Sequence, residues 1–111
     1  MGNDIIKTPY DKLYDYISHH DKRFLNIYDL GTGRINWKLN VKIIEKELSF
    51  KFHLLENSKT VLSIPLCIDS NDQVLILKSK TWSDCIKIEL FDELCGFLTY
   101  EGQKPIKIKI A

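Results

Sequence analysis

Apolar and polar residues alternate along most of this chain, with the period of two that is typical of β-strands having one buried face. One such strand places Ile35, Trp37, Leu39, Val41 and Ile43 on its apolar face, and asparagine and lysine on the other. The same pattern predicts strands over 24–30, 48–54, 62–68, 74–80, 86–90, 97–100 and 106–110. Short polar or glycine-containing segments separate the strands, which indicates antiparallel hairpins.

A helical period replaces the alternation near the start of the chain. Apolar residues there recur at intervals of three and four and form one stripe, made of Tyr10, Leu13, Tyr14 and Ile17. Thr8 is a suitable N-cap, Pro9 suits the first helical position, and Asp11 suits the positive end of the helix dipole. A helix this short is not stable alone, so its stripe must pack on the sheet.

These elements predict a mainly-β (α+β) protein in one domain spanning 1–111, with a helix at about 8–20 and a sheet at about 23–110. Seven or eight antiparallel strands would form a meander, curled into a sandwich or a partial barrel with the helix packed on it. Pro65 predicts an edge strand or a bulge, because proline cannot donate to a β-ladder. Residues 92–95 fit either a helical turn or a bulge.

Composition and cysteine usage favour a cytoplasmic protein. The chain has 111 residues, three cysteines and a net charge of +1. An odd cysteine count argues against a secreted disulfide scaffold and for a reducing compartment. We find no pattern of a secretory signal and no apolar run near the roughly 18 residues that a membrane span needs. The sequence therefore predicts no membrane association.

Motifs with catalytic or metal-binding chemistry are incomplete. The segment 31–33, Gly-Thr-Gly, lacks the third glycine and the following helix of a dinucleotide loop, so a hairpin turn is the better interpretation. The turn at 69–72 lacks the glycine and glutamate of a calcium loop. The histidines and cysteines lack the short spacings of zinc sites. His19, Lys51 and His53 are the acid–base candidates. We predict no metal, no cofactor and no enzymatic activity.

Charge is distributed unevenly between strands and turns. Lysines occupy the polar faces of the strands, whereas most carboxylates lie in the turns. Lysine on exposed strands can simply discourage aggregation, or it can form a surface for an acidic partner. Aromatic residues outside the apolar faces are candidate interface anchors. The candidate partner-binding residues are Lys38, Lys42, Lys51, Asp69, Asp72, Asp84, Trp82, Tyr16 and Phe91.

In size and in its lack of motifs, the chain is similar to small bacterial immunity proteins and phage-encoded inhibitors. This predicts a non-enzymatic inhibitor that forms a heterodimer with a toxin or effector domain, through either the acidic turns or the lysine face. The first alternative is a nucleic-acid-binding module; against it, the outward faces of the strands 35–43 and 48–54 contain no aromatic residue. The second is a small-ligand carrier; against it, Trp37, Phe50, Phe52 and Phe97 indicate a filled interior.

Overall fold

The computed structural model describes residues 7–20, 23–80, 86–92, 94–100 and 103–111. Within these residues, one helix precedes eight strands, as the alternation predicts. The helix α1 spans Pro9–His20, and the strands are β1 Phe24–Asp29, β2 Ile35–Ile44, β3 Glu47–Glu56, β4 Lys59–Ser70, β5 Leu75–Ser79, β6 Ile86–Asp92, β7 Cys95–Tyr100 and β8 Ile106–Ile110.

The eight strands close into an antiparallel barrel with no strand crossing over another. Each strand pairs with the next in the chain, and β8 pairs with β1 to complete the ring. Reciprocal backbone hydrogen bonds tie the seam, from Asn26 N–H to Ala111 O at 2.9 Å and from Ala111 N–H to Asn26 O at 3.1 Å. The expected antiparallel meander is confirmed, and of the sandwich and partial-barrel alternatives the structure shows a barrel that is fully closed.

The barrel interior is apolar. Twenty buried apolar residues form one core cluster among the described residues, which contain no buried polar or charged residue. Trp37, Phe50 and Phe52 belong to this core, as the alternation predicts. Phe97 does not: it is only half-buried, and it lies opposite Glu89 on one neighbouring strand and Lys107 on the other. Its expected place in the interior is therefore wrong, because its position in the alternation of β7 is the outward one.

The helix covers one end of the barrel. Thr8 caps it as expected: the Asp11 N–H donates to Thr8 Oγ1 and the Thr8 N–H donates to Asp11 Oδ2, both at 3.2 Å. Leu13 and Ile17 are buried in the core, and the burial of each contributes about 1.5–3 kcal/mol to stability. The Tyr10 hydroxyl accepts a hydrogen bond from the Leu48 N–H at 2.9 Å, which fixes the helix to the start of β3.

The expectation that β4 is an edge strand is wrong, because β4 pairs with both β3 and β5. The alternative, a bulge in this strand, is present, but at Val61, the extra residue between the pairs of Leu62 and Thr60, rather than at Pro65. Pro65 instead lies one residue before the described ladder to β5 begins, at Leu66. Asp69 belongs to the strand and pairs with Ile76, so the turn starts at Asn71.

The short turns are built by backbone geometry and by local side-chain hydrogen bonds. Glu45 and Lys46, and likewise Asn57 and Ser58, have positive φ at both central positions, as the two-residue type I′ hairpin requires. Asn71 Oδ1 accepts hydrogen bonds from the N–H groups of residues 73 and 74, at 2.8 and 3.0 Å. These hydrogen bonds stabilise the turn.

Tyr10→Phe tests the attachment of the helix. Removing the hydroxyl leaves the Leu48 N–H without its partner at a part-buried position, so we expect a loss of about 1–2 kcal/mol in the free energy of unfolding. Chemical denaturation measures this loss. Tyr14→Phe is the matched control, because Tyr14 packs on the core from the same helix but makes no hydroxyl hydrogen bond among the described residues. Equal losses in the two variants would contradict the assignment.

Candidate interaction surfaces

The residues that the sequence singles out for partner binding lie on separate parts of the barrel. Lys38, Lys42 and Lys51 lie on the outer face of β2 and β3, with Lys38 half-buried and the other two exposed. Asp69 and Asp72 are exposed, at the end of β4 and in the turn after it. Phe91 is near the end of β6 and Tyr16 is on the helix. Trp82 and Asp84 lie outside the described residues. No single surface therefore contains the whole predicted set, and two candidate surfaces emerge.

The first surface is the basic face, which we define as the outer side of β1–β3 around Asn40. Asn40 lies opposite Phe24 on β1 and opposite Lys51 on β3, with Lys38 and Lys42 two residues away on either side along β2. The ion pairs among the described residues join Lys7 to Asp15, Lys12 to Asp92 and Lys87 to Glu89. The lysines of the basic face therefore have no carboxylate partner within the described chain.

Phe24 adds an exposed aromatic ring to the basic face. Its side chain is 54% exposed, and its ring centroid lies 5.8 Å from that of His53 in an edge-on arrangement at 69°. Because His53 is on β3, the Phe24 ring reaches across β2 and lies over the polar side chains there. The outward faces of β2 and β3 contain no aromatic residue of their own, as expected, but an aromatic ring nevertheless lies among their lysines. Alternation assigns each strand to a face, but Phe24 arrives from the neighbouring strand β1.

The environment of His53 disfavours the protonated form of its ring. Both ring nitrogens are buried without a hydrogen-bond partner among the described residues, and Asn40 Oδ1 is in the same condition. Burial lowers the pKa of His53 below its ordinary value, and the nearby charges of Lys51 and Lys38 lower it further. Across the strands His53 faces Lys38 on one side and Ser63 on the other, so no carboxylate offsets these effects. The basic face thus disfavours one more positive charge.

The lowered pKa of His53 predicts an acid-sensitive step in stability. Below the ordinary histidine pKa, His53 binds a proton in the unfolded chain but not in the folded protein. The free energy of unfolding therefore decreases as the pH is lowered, until the pH reaches the lowered pKa of the folded state. We expect His53→Gln to reduce the drop in denaturation midpoint between pH 8 and pH 5. His20→Gln, at the exposed end of the helix, is the control. An unchanged drop in the His53 variant would contradict the assignment.

The second surface is the aromatic patch, which we define by Leu30, Phe91 and Phe97. Leu30 and Phe91 are 53% and 45% exposed, and the rings of Phe91 and Phe97 meet edge-on with centroids 5.8 Å apart. These residues line a shallow groove of about 190 Å³. Asp92 and Lys107 border it, so an apolar centre has a charged rim, which is the arrangement found in protein interfaces.

A β-bulge lies at Phe91, which the alternation along β6 already places on the outer face. Leu90 pairs with Gly96 and Asp92 pairs with Cys95, which leaves Phe91 as the extra residue between two consecutive pairs. The bulge precedes the segment 92–95, for which the sequence left a helical turn or a bulge open; at the ends of that segment Asp92 pairs directly with Cys95. Leu94 follows with a φ of 68°, which is rare for a bulky apolar residue. Bulges that redirect a side chain occur next to functional sites.

Gly96 is required for this bulge. A Cβ at Gly96 would lie 1.7 Å from the Glu89 carbonyl oxygen, so β6 and β7 approach each other more closely than any other residue allows. We expect Gly96→Ala to lower the free energy of unfolding by roughly 3 kcal/mol or more, since backbone must move. Gly33→Ala is the control. Its Cβ meets nothing within 4 Å, so only its positive φ opposes the change, at about 1 kcal/mol. Denaturation midpoints distinguish the two, and equal losses would contradict the close approach.

Tyr16 contributes less to an exposed surface than the sequence suggests. It is half-buried and packs against the core, with its ring centroid 4.6 Å from that of His20. It also lines a groove of about 310 Å³ between the helix and β6, together with Pro9, Lys12 and Leu90. Its role in binding a partner stays a prediction.

Among the described residues, the groups considered for metal chemistry do not form a cluster, and of the acid–base candidates only Lys51 and His53 lie together, on β3. No set of three or more His, Cys, Asp or Glu residues in the described chain could hold a metal ion. His19 lies in the last helical turn, with Nδ1 at 2.7 Å from the Asp15 carbonyl oxygen. Cys67 and Cys95 are exposed and unbridged rather than core residues, and Cys85 lies outside the described residues. In the 31–33 turn, the Asp29 carboxylate already accepts hydrogen bonds from the N–H groups that a phosphate would need.

Comparison with protein-family models, with curated proteins and with solved structures finds no match to this chain. Among the described residues, no helix has both the length and the apolar character needed to cross a lipid bilayer.

Proposed function

We propose that this chain is a non-enzymatic cytoplasmic inhibitor that forms a heterodimer with another protein through the aromatic patch. In its specific form, the proposal is a bacterial immunity protein that neutralises a cognate toxin. The observation that carries it is the exposed ring of Phe91 at a β-bulge, next to the place where Gly96 allows β6 and β7 to approach closely. An exposed ring held by a costly backbone arrangement fits an interface anchor better than an incidental surface residue.

The rest of the patch supports binding by contact. Phe97 lies against the edge of Phe91 and limits the freedom of its ring, so little conformational entropy is lost when a partner covers it. Leu30 is held beside the patch by a 3.0 Å hydrogen bond from its N–H to the Lys107 carbonyl oxygen. A closed barrel keeps these residues in fixed positions, as a stoichiometric inhibitor requires.

The carrier alternative receives less support from the geometry. Core side chains such as Phe50, Phe52 and Leu39 are almost completely buried, as in an eight-stranded barrel filled by its own residues. Four grooves of the described chain lie along the helix, at strand ends and on the outer face, and none of these four is lined by Phe50, Phe52 or Leu39.

The test uses the protein encoded by the reading frame adjacent to this gene in its native genome. We expect that protein to arrest growth when expressed alone, and co-expression of this chain to restore growth. Calorimetry on the purified pair should give one-to-one binding. Leu30→Ala combined with Phe91→Ala should weaken the complex about 30-fold or more, the loss of about 2 kcal/mol typical of an interface anchor.

Val61→Ala combined with Leu62→Ala is the matched control. It removes a similar exposed apolar surface, at 50% and 47% exposure, from β4. The control should bind like the parent protein, and both double variants should keep the parent unfolding midpoint. A neighbouring protein that neither arrests growth nor binds would refute the inhibitor proposal. Equal binding by the two double variants would refute the aromatic patch as its interface.

A further inference from the structure

We propose that the basic face binds single-stranded nucleic acid, with Phe24 stacking on a base and Lys38, Lys42 and Lys51 contacting phosphates. This activity does not depend on the proposed inhibitor function, because the aromatic patch lies on β6–β8 and at the end of β1, away from β2 and β3. The basic face combines three features that such a ligand requires: unpaired cations, an exposed ring among them, and polar groups without partners.

The cations surround one point of the sheet. Residues two apart on a strand are about 6.6 Å apart, and neighbouring strands about 4.8 Å, so Lys38 and Lys42 are about 13 Å apart with Lys51 between them across β3. The carboxylates of β3 lie only at its two ends, Glu47 and Glu56. The positive potential is therefore concentrated in the middle of β2 and β3, away from these carboxylates.

The ring lies at the centre of these cations. Phe24 pairs with Asn40, the residue that Lys38, Lys42 and Lys51 surround. Water makes no favourable contact with the face of an exposed phenyl ring, whereas any nucleic-acid base can stack on it. Phosphates on either side of that base would then meet the lysines. The basic face thus offers a stacking surface and backbone contacts at the same place.

The unpartnered polar atoms favour a nucleic acid over an acidic peptide. Asn40 Oδ1 and both His53 ring nitrogens are buried beside the Phe24 ring, with no hydrogen-bond partner in the described parts of the chain. If Phe24 turns toward a base, these atoms become accessible to the donors and acceptors on base edges. Carboxylate side chains would neutralise the lysines, but they carry no donor for Asn40 Oδ1 and no flat ring for Phe24.

The experiment measures binding of a fluorescein-labelled oligothymidylate by fluorescence anisotropy at increasing salt. We expect binding at low salt that weakens as salt rises, with a logarithmic slope of about two for three phosphate contacts. Phe24→Ala should weaken binding about tenfold, and Phe24→Tyr should restore it. Lys38→Ala combined with Lys51→Ala should weaken binding and lower the slope by about 1.4.

Controls separate this site from general charge attraction and from the protein interface. Lys78→Ala combined with Lys109→Ala removes the same charge from exposed positions on β5 and β8 and should leave binding unchanged. The Leu30 and Phe91 double variant should also bind the oligonucleotide normally. His53 ring resonances should shift on titration, because Phe24 lies against that ring.

Absence of binding at low salt would overturn the proposal while leaving the inhibitor proposal intact. Equal weakening by the two lysine double variants would also overturn it. Competition by polyglutamate is the third test. If polyglutamate displaces the labelled oligonucleotide as well as unlabelled oligonucleotide does, and if its binding is unchanged by Phe24→Ala, the basic face recognises only negative charge and the proposal is wrong.

Discussion

Closure of the sheet is the constraint on which the rest of this structure depends. Once β8 pairs with β1, every strand has two neighbours and the inward side chains share one enclosed space. That space must be filled by apolar groups, because a buried polar group without a hydrogen-bond partner lowers the free energy of unfolding by roughly 1–3 kcal/mol. The core cluster meets this requirement with apolar residues from all eight strands and from the helix that covers one end. Polar and charged side chains are consequently displaced to the outside, where any recognition must occur.

Closure also determines how some outer side chains project. The pairing is irregular at three places, and at each one strand carries an extra residue: Asn36, Val61 and Phe91. All three are exposed. Bulges increase the local bend and twist that a small barrel needs. The bulge at Phe91 therefore serves the fold and the aromatic patch together, and Gly96 supports both.

Alternation predicts the strands and the inner faces well, because each depends on a residue's own position within its strand. The helix, its Thr8 cap and the core positions of Trp37, Phe50 and Phe52 follow from such local patterns. Alternation does not specify which strands become neighbours. A sandwich and a closed barrel share one pattern, and Phe24 reaches the lysines of β2 and β3 only through pairing of β1. The edge-strand prediction from Pro65 is wrong for the same reason, because a missing N–H matters only where a neighbouring strand needs it. The bulge at Phe91 depends on the close approach of two backbones, for which Gly96 is the one signal in the sequence.

Amide hydrogen exchange at the seam tests the closed barrel most directly. Across it, the Asn26 N–H donates to Ala111 just after β8, the Leu30 N–H donates to Lys107 of β8, and the Ala111 N–H donates to Asn26 of β1. A closed barrel predicts that the Asn26 amide exchanges as slowly as amides in the middle of the β2–β3 ladder, such as those of Leu39 and Phe52. Exchange at the rate of an unpaired strand edge, with the rest of the sheet still protected, would show that the barrel is open and would contradict the account.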